Sequence, residues 1–288
     1  NGSIYKGTLK DFKRLGLGKQ TWPNGDCFDG NFSTDNREGE GIFKYANGNV
    51  YTGSWKNSLK HGKGTENLPS EVYEGQFVSG LREGLGRLTS LDGAVYTGCF
   101  KAGVKHGKGF ESMANSNRLK GEFLSGSFIE GTCDYSNGSV YTGSWKNSMK
   151  HGKGTLSDSK GVTYSGDWAY DKQTGQGILK LPTGETYSGA FKFDEFDGFG
   201  IYDYGLGSRY EGSWSQGKRN GHGLFVWTDK SSYSGNWKDD QIQGRGVRTW
   251  VDGTVYDGYF VDLELNGEGI MRDPDKSEYN GQWKDGKR

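Results

Sequence analysis

An all-β fold built from tandem antiparallel β-hairpins follows from three features of the sequence. An aromatic-x-Gly-x-aromatic unit recurs every 22 or 23 residues from Tyr5 to Tyr279. Glycine fills 51 of 288 positions, where an average chain of this length has about 20. No segment offers about ten or more residues of helical periodicity. Few aliphatic residues, many rings and many glycines point to a thin structure that packs rings on bare backbone.

The repeat defines the elements. Its opening residues are Tyr5, Phe28, Tyr51, Tyr73, Tyr96, Leu119, Tyr141, Tyr164, Tyr187, Tyr210, Tyr233, Tyr256 and Tyr279. Glycine stands two residues after each opener, and Trp, Phe or, once, Leu9 two residues further on. In Tyr51-Thr52-Gly53-Ser54-Trp55-Lys56, ring and glycine positions alternate with polar ones, the period of a strand with one packed face. A Gly-x-Gly pair follows, as in Gly62-Lys63-Gly64. The segment Asn57 to Gly62 reads as a polar turn and Lys63 to Leu68 as the second strand. Units are joined by turn residues such as Pro23-Asn24-Gly25 and Ser136-Asn137-Gly138. The unit opened by Leu119 departs from the pattern: it is one residue short and reads Ile129-Glu130-Gly131 where Gly-x-Gly is expected.

One hairpin per unit predicts an elongated, twisted single-sheet meander of about 25 strands, roughly 120 Å long at ~4.8 Å per strand. Glycine opposite a ring lets the ring lie on backbone and tolerates close approach. Stability is then a sum of nearest-neighbour terms. Val50 to Thr65 and Val140 to Thr155 differ only at Leu59 and Met149, with a looser copy from Val95 to Phe110. That points to duplication of a two-hairpin module.

The pattern, roughly YxGxWxxxxxxGxGxxxxxxGxx, resembles the MORN repeat. The resemblance covers 1–288 as one array of about 12 full repeats plus a partial C-terminal one. The sequence does not begin with Met and ends in mid-motif, which predicts a piece of a longer chain. The resemblance implies a non-enzymatic structural scaffold or adaptor, mediating protein–protein interaction or self-association, a homodimer included. It implies a cytoplasmic place in a cytoskeletal or ciliary assembly, or at the periphery of a membrane. Two alternatives come with it: a targeting module for acidic phospholipids, and a regulatory segment of a larger enzyme.

The residues offer little chemistry to set against this. Lys+Arg and Asp+Glu balance at 36 each, which argues against a nucleic-acid binder. Cys27, Cys99 and Cys133 are odd in number and far apart, so no disulfide framework is expected. His61, His106 and His151 share one slot in units two repeats apart, roughly 19 Å, too far to hold one metal ion. No nucleophile elbow, HExxH or phosphate-loop spacing occurs. The expectation is no catalytic residue, no metal and no cofactor.

Three groups are candidate contact residues. The rings of the repeat itself, Trp55 and Trp237 among them, read first as core. A second ring position varies between units, at Trp22, Tyr45, Tyr135, Tyr204, Trp227 and Trp250, and suits an exposed groove; Tyr45, Tyr135, Trp227 and Trp250 are its candidate partner-binding residues. One turn is unusually apolar, with Phe193, Phe196 and Phe199 beside Phe191, and such an exposed cluster marks an interface. The hairpin turns of the first half are basic: Lys56, Lys60 and Lys63, and again Lys146, Lys150 and Lys153. These are the candidate lipid-headgroup residues, each nearby lysine adding about 1 kcal/mol at an anionic surface. Acidic turns of the second half, at Asp194, Asp239, Asp240 and Asp262, offer a complementary charge for an antiparallel dimer.

Overall fold

The structure, a computed structural model, describes residues 2–288. Among them lie 25 strands, β1 (Ile4–Lys10) to β25 (Glu278–Trp283), and no helix. Two compact units divide the chain, Asn1–Ser148 and Met149–Arg288. The first holds β1 to β13 (Val140–Lys146) and the second β14 (Met149–Ser157) to β25. Inside each unit every strand pairs antiparallel with its successor. The fold class read from the sequence, an all-β meander of tandem hairpins, is the one found.

The hairpin opened by Tyr210 shows why these residues form these elements. Strand β19 (Ser208–Ser215) and strand β20 (Lys218–Val226) meet at Gln216-Gly217, both with positive φ, at +50° and +75°. Two left-handed residues in succession make the turn whose twist matches that of the paired strands. The register runs Tyr210↔Phe225 and Gly212↔Gly223, then shifts to Trp214↔Arg219. Ser213 on one strand and Asn220 to His222 on the other lie in this β-bulge, where Gly221 takes φ +90°. The two glycines of Gly-x-Gly therefore differ in purpose. The first supplies the left-handed bulge. The second faces Gly212 across the ladder, under the Tyr210 ring.

The turn expected over Asn57 to Gly62 is corrected by the same geometry. It is only Asn57-Ser58, at φ +50° and +64°, and the next strand, Leu59–Asn67, already contains Lys60 and Lys63. Gly62 belongs to the bulge, at φ +67°. In the Leu119 unit the missing residue is the bulge glycine: Phe123 pairs with Phe128 and Glu122 with Glu130, leaving only Ile129 between them.

In each unit the core is a file of rings on one face of its strands. The opener rings from Phe28 to Tyr256 are buried, Tyr51, Tyr141, Tyr210, Tyr233 and Tyr256 completely, while Tyr5 and Tyr279 are half-buried. Tyr210 meets Trp214 of its own repeat edge-on at 5.1 Å and Trp237 of the next at 5.4 Å. Tyr233 relates to Trp237 and Phe260 in the same way. Such pairs add about 0.5–1.5 kcal/mol each beyond burial. Polar ends are satisfied by local backbone. Trp55, Trp214, Trp237 and Trp283 donate their indole N–H to the carbonyls of Gly41, Gly200, Gly223 and Gly269.

Candidate docking surface

A lid lies over the ring file, nine residues after each opener. Arg14, Arg37, Lys60, Arg82, Lys105 and the apolar Phe128 hold it in the first unit. Lys150, Gln173, Arg219 and Arg288, with the apolar Phe196, Ile242 and Leu265, hold it in the second. Arg219 shows the arrangement. Its guanidinium stands 4.3 Å over the Trp237 ring, and its Nε donates to Asp240 at 2.9 Å. The Asp240 amide in turn donates to the Arg219 carbonyl at 3.0 Å, so the tip of each hairpin is stapled to the lid of the one before. Ser58 and Arg37, Gly103 and Arg82, and Asp194 and Gln173 repeat this backbone bond.

The lid divides the candidate lysines. Lys60 pairs with Glu66 and lies over Tyr51 at 5.2 Å and Tyr45 at 5.6 Å. Lys150 lies 4.7 Å over Trp168. Neither belongs to a basic turn, which corrects that expectation: Lys60 and Lys63 lie in one strand, where residues an odd number apart point to opposite faces. Lys56, Lys63, Lys146 and Lys153 are exposed on the other face, and Lys153 is paired with Asp167 at 2.7 Å.

The phenylalanine cluster is also taken apart. Phe191 is core. Phe196 is a lid, stacked on Tyr187 with ring centres 3.7 Å apart. Phe193 occupies the hairpin tip at φ +52° and Phe199 the opposite face; both are exposed, by 69% and 60%. The exposed phenylalanines are thus in two places, the hairpin tip and the face opposite the core, because alternation along the strand turns position 199 away from position 196.

The varying ring positions do come together. In the second unit Trp227 and Trp250 open connections between hairpins, Tyr204 lies near the end of the strand Glu195–Gly205, and all three stand half-buried along one margin of the core face. Tyr204 and Phe225 lie 5.6 Å apart, and Phe225 and Trp227 4.8 Å. The Arg248 guanidinium sits 3.7 Å from the Trp227 ring and 5.7 Å from Trp250. The result is one ladder of π surfaces across three hairpins. Burial raises the Tyr204 hydroxyl and lowers the Arg248 guanidinium from their ordinary values, with Asp229 opposing the latter. In the first unit Trp22, Phe43 and Tyr45 make a shorter version, with ring separations of 5.5 and 4.4 Å. Tyr135 heads the equivalent connection, its amide on the Ser139 carbonyl.

Beside the ladder lies a cavity of about 250 Å³. Its lining includes Phe225, Trp227, Trp237 and Ile242 together with the tip residues Asp240, Asp262 and Leu263. Sequence reasoning missed the lid, whose signal was a cation or large apolar side chain at a fixed offset from the opener. It also missed Arg248, which replaces a ring or aliphatic residue in the ladder. A third feature went unread. On the opposite face of the second unit, Ile178, Ile201, Leu224, Val247 and Ile270 line up across alternate strands, with Ser188, Glu211, Ser234 and Asp257 between them.

Among solved structures the chain is similar to the TCP10 domain of Danio rerio CPAP in complex with a STIL peptide. That likeness has 13% identity, 98% of this chain, 100% of that chain and a TM-score of 0.26. It is similar to the TCP domain of Drosophila melanogaster SAS-4 in complex with a proline-rich motif of Ana2 at 13% identity, 69% of this chain, 90% of that one and a TM-score of 0.28. Streptogramin B lyase matches at 10% identity over 88% and 85%, with a TM-score of 0.15. TM-scores this low bear on neither fold detail nor function. No curated protein matches the chain. The family model described as MORN repeat matches residues 5–27, 28–50, 51–70, 73–95, 96–118, 141–163, 164–186, 187–209, 210–232, 233–255 and 279–288. The segments opened by Leu119, with its shortened bulge, and by Tyr256 lie outside these matches. Repeat after repeat over most of its length, the chain belongs to the MORN repeat family.

Proposed function

We propose that the chain is a non-enzymatic scaffold or adaptor that docks a protein partner on the ring ladder of its second unit, in a cytoskeletal or ciliary assembly. A MORN array is a repeat module for protein or lipid interaction. The observation that carries the protein reading is the half-buried row Tyr204, Phe225, Trp227, Arg248 and Trp250. The core rings are covered by lids and by one another, whereas these present faces to solvent. Exposed aromatic and arginine residues beside an apolar cavity are the composition of binding hot spots. The lipid reading draws support from Lys56, Lys63 and Lys146 alone, since Lys60 and Lys150 cover rings and Lys153 is paired.

Two assays on one preparation test this. In affinity capture, the wild type retains a protein partner that the double variant Trp227→Ala/Trp250→Ala loses. In co-sedimentation at physiological salt, vesicles of phosphatidylserine and phosphatidylinositol bisphosphate leave the chain in the supernatant. Pelleting with the vesicles that is abolished by Lys56→Glu/Lys63→Glu, with no partner dependent on the rings, overturns the protein reading in favour of the lipid one.

A further inference from the structure

We infer that the ladder and its cavity take a proline-rich segment in the polyproline II conformation that carries a basic residue. The inference rests on the protein-docking reading and names the chemistry of the partner. Three observations on the second unit carry it.

The first is spacing. Tyr204, Trp227 and Trp250 occupy the same position in successive hairpins, so they recur every two strands, roughly 9.6 Å. A polyproline II helix turns once in three residues at 3.1 Å per residue, about 9.3 Å. Prolines three apart then meet successive rings, with a mismatch of about 0.6 Å over the two steps from Tyr204 to Trp250. Two turns of an α-helix, seven residues, rise about 10.5 Å and drift by about 2 Å over the same distance.

The second is the supply of hydrogen-bond donors. A polyproline II segment has no internal hydrogen bonds, so its carbonyls need outside donors. Trp55, Trp168, Trp214, Trp237 and Trp283 spend their indole N–H on glycine carbonyls. Trp227 and Trp250 make no such bond to any described residue, and neither do the terminal nitrogens of the Arg248 guanidinium between them, whose Nε is buried out of a ligand's reach. Ring faces with unspent N–H groups beside them are what aromatic grooves use to read proline-rich ligands.

The third is charge. Asp240 and Asp262 both line the cavity. Asp240 is held by Arg219. Asp262 has no ion-pair partner among the described residues and faces the apolar hollow next to Leu263. An arginine or lysine flanking the prolines would lay its stem along the hollow and reach this carboxylate.

The test is an array of synthetic peptides with prolines at every third position and a flanking arginine, against matched peptides with alanine for proline or glutamine for arginine. The full chain, fluorescently labelled, is the probe. Proline peptides retain it at least tenfold better than alanine peptides. Trp227→Ala and Trp250→Ala each lose at least tenfold, while Trp227→Phe, which keeps a ring and the fold, loses less than Trp227→Ala. The tip variant Asp262→Asn weakens arginine peptides and leaves glutamine peptides unchanged, which separates recognition from folding. Equal retention of proline and alanine peptides overturns the inference. If the captured partner of the wild type still depends on Trp227 and Trp250, only the proline assignment falls; if a second copy of the chain or an amphipathic helical peptide competes for the same rings, that occupant replaces it.

Discussion

The hydroxyl of Tyr210 donates to the backbone carbonyl of Ser213 at 2.9 Å, and Ser213 is the residue its own strand leaves out of register. Ring and bulge are thereby one device. The opener lies across Gly212 and Gly223 and hands its hydroxyl to a carbonyl beyond the ladder. Tyr51, Tyr73, Tyr96, Tyr187 and Tyr233 do the same at 2.9 to 3.1 Å. Removing the hydroxyl alone, in Tyr210→Phe, is expected to cost about 1 kcal/mol. The repeat opened by Phe28 shows that a ring without it still packs. Tyr210→Ala is expected to cost about 3–5 kcal/mol. Urea unfolding followed by tryptophan fluorescence measures both.

Glycines of the two classes differ in what alanine does to them. A Cβ at Gly246 would lie 2.5 Å from Cε2 and 2.6 Å from Cζ of Tyr233, with Gly235 across the ladder. The ring has no room to retreat among Trp237 and Phe260, so Gly246→Ala is expected to cost about 3 kcal/mol. At Gly48 nothing lies within 4 Å, but φ is +88°. There alanine meets only the left-handed backbone and costs about 1 kcal/mol. Equal losses in the two variants would contradict the ring-on-backbone packing.

The Leu119 repeat leaves a mark on its neighbour. Trp145 keeps a buried indole N–H without an acceptor, whereas Trp237 bonds the Gly223 carbonyl at 3.3 Å. Both changes to phenylalanine remove similar ring area, but only Trp237→Phe breaks a hydrogen bond. Trp145→Phe is therefore expected to be milder by about 1–2 kcal/mol, read as a smaller shift of the unfolding midpoint.

Acid should loosen the first unit at one carboxylate in particular. Burial pushes the Glu66 carboxyl up, but the Lys60 ammonium and the Arg82 guanidinium, which donates at 2.8 Å, together hold it below its ordinary 4.5. A folded value below the unfolded one gives stability that is full above 4.5 and is lost as pH falls through the folded value. Glu66→Gln should lower stability at neutral pH and flatten the dependence below about pH 4.5. A variant with an unchanged acid limb would show that Glu66 carries no such coupling.

The regular part of this molecule is legible in its sequence because each repeat writes it again: Tyr51, Gly53, Trp55 and Gly64 announce a ring, the backbone beneath it and the neighbouring ring. What escaped was the bulge. Glycine at position 62 suits a turn and a left-handed bulge equally, and the choice between them decides where the second strand begins. With the turn run on to Gly62, Lys60 and Lys63 belong to one basic turn, and Phe196 and Phe199 to one apolar cluster. With the strand begun right after the two tip residues, ordinary alternation turns the first of each pair onto the core and the second away. The ladder was half visible: Trp227 and Trp250 stood out as rings at a varying position. Arg248 did not, since only the fold brings its guanidinium onto Trp227.

Site-specific photo-crosslinking tests the docking role most directly. A benzophenone amino acid is placed at Trp250 on the ladder and, in a second variant, at Ile178 on the opposite face, and each is illuminated in extract. Protein adducts are expected from position 250 and not from 178, and they should disappear when Trp227→Ala is added. Adducts confined to position 178 would mean that the aliphatic row on the other face is the docking surface, and would contradict the assignment of the ladder.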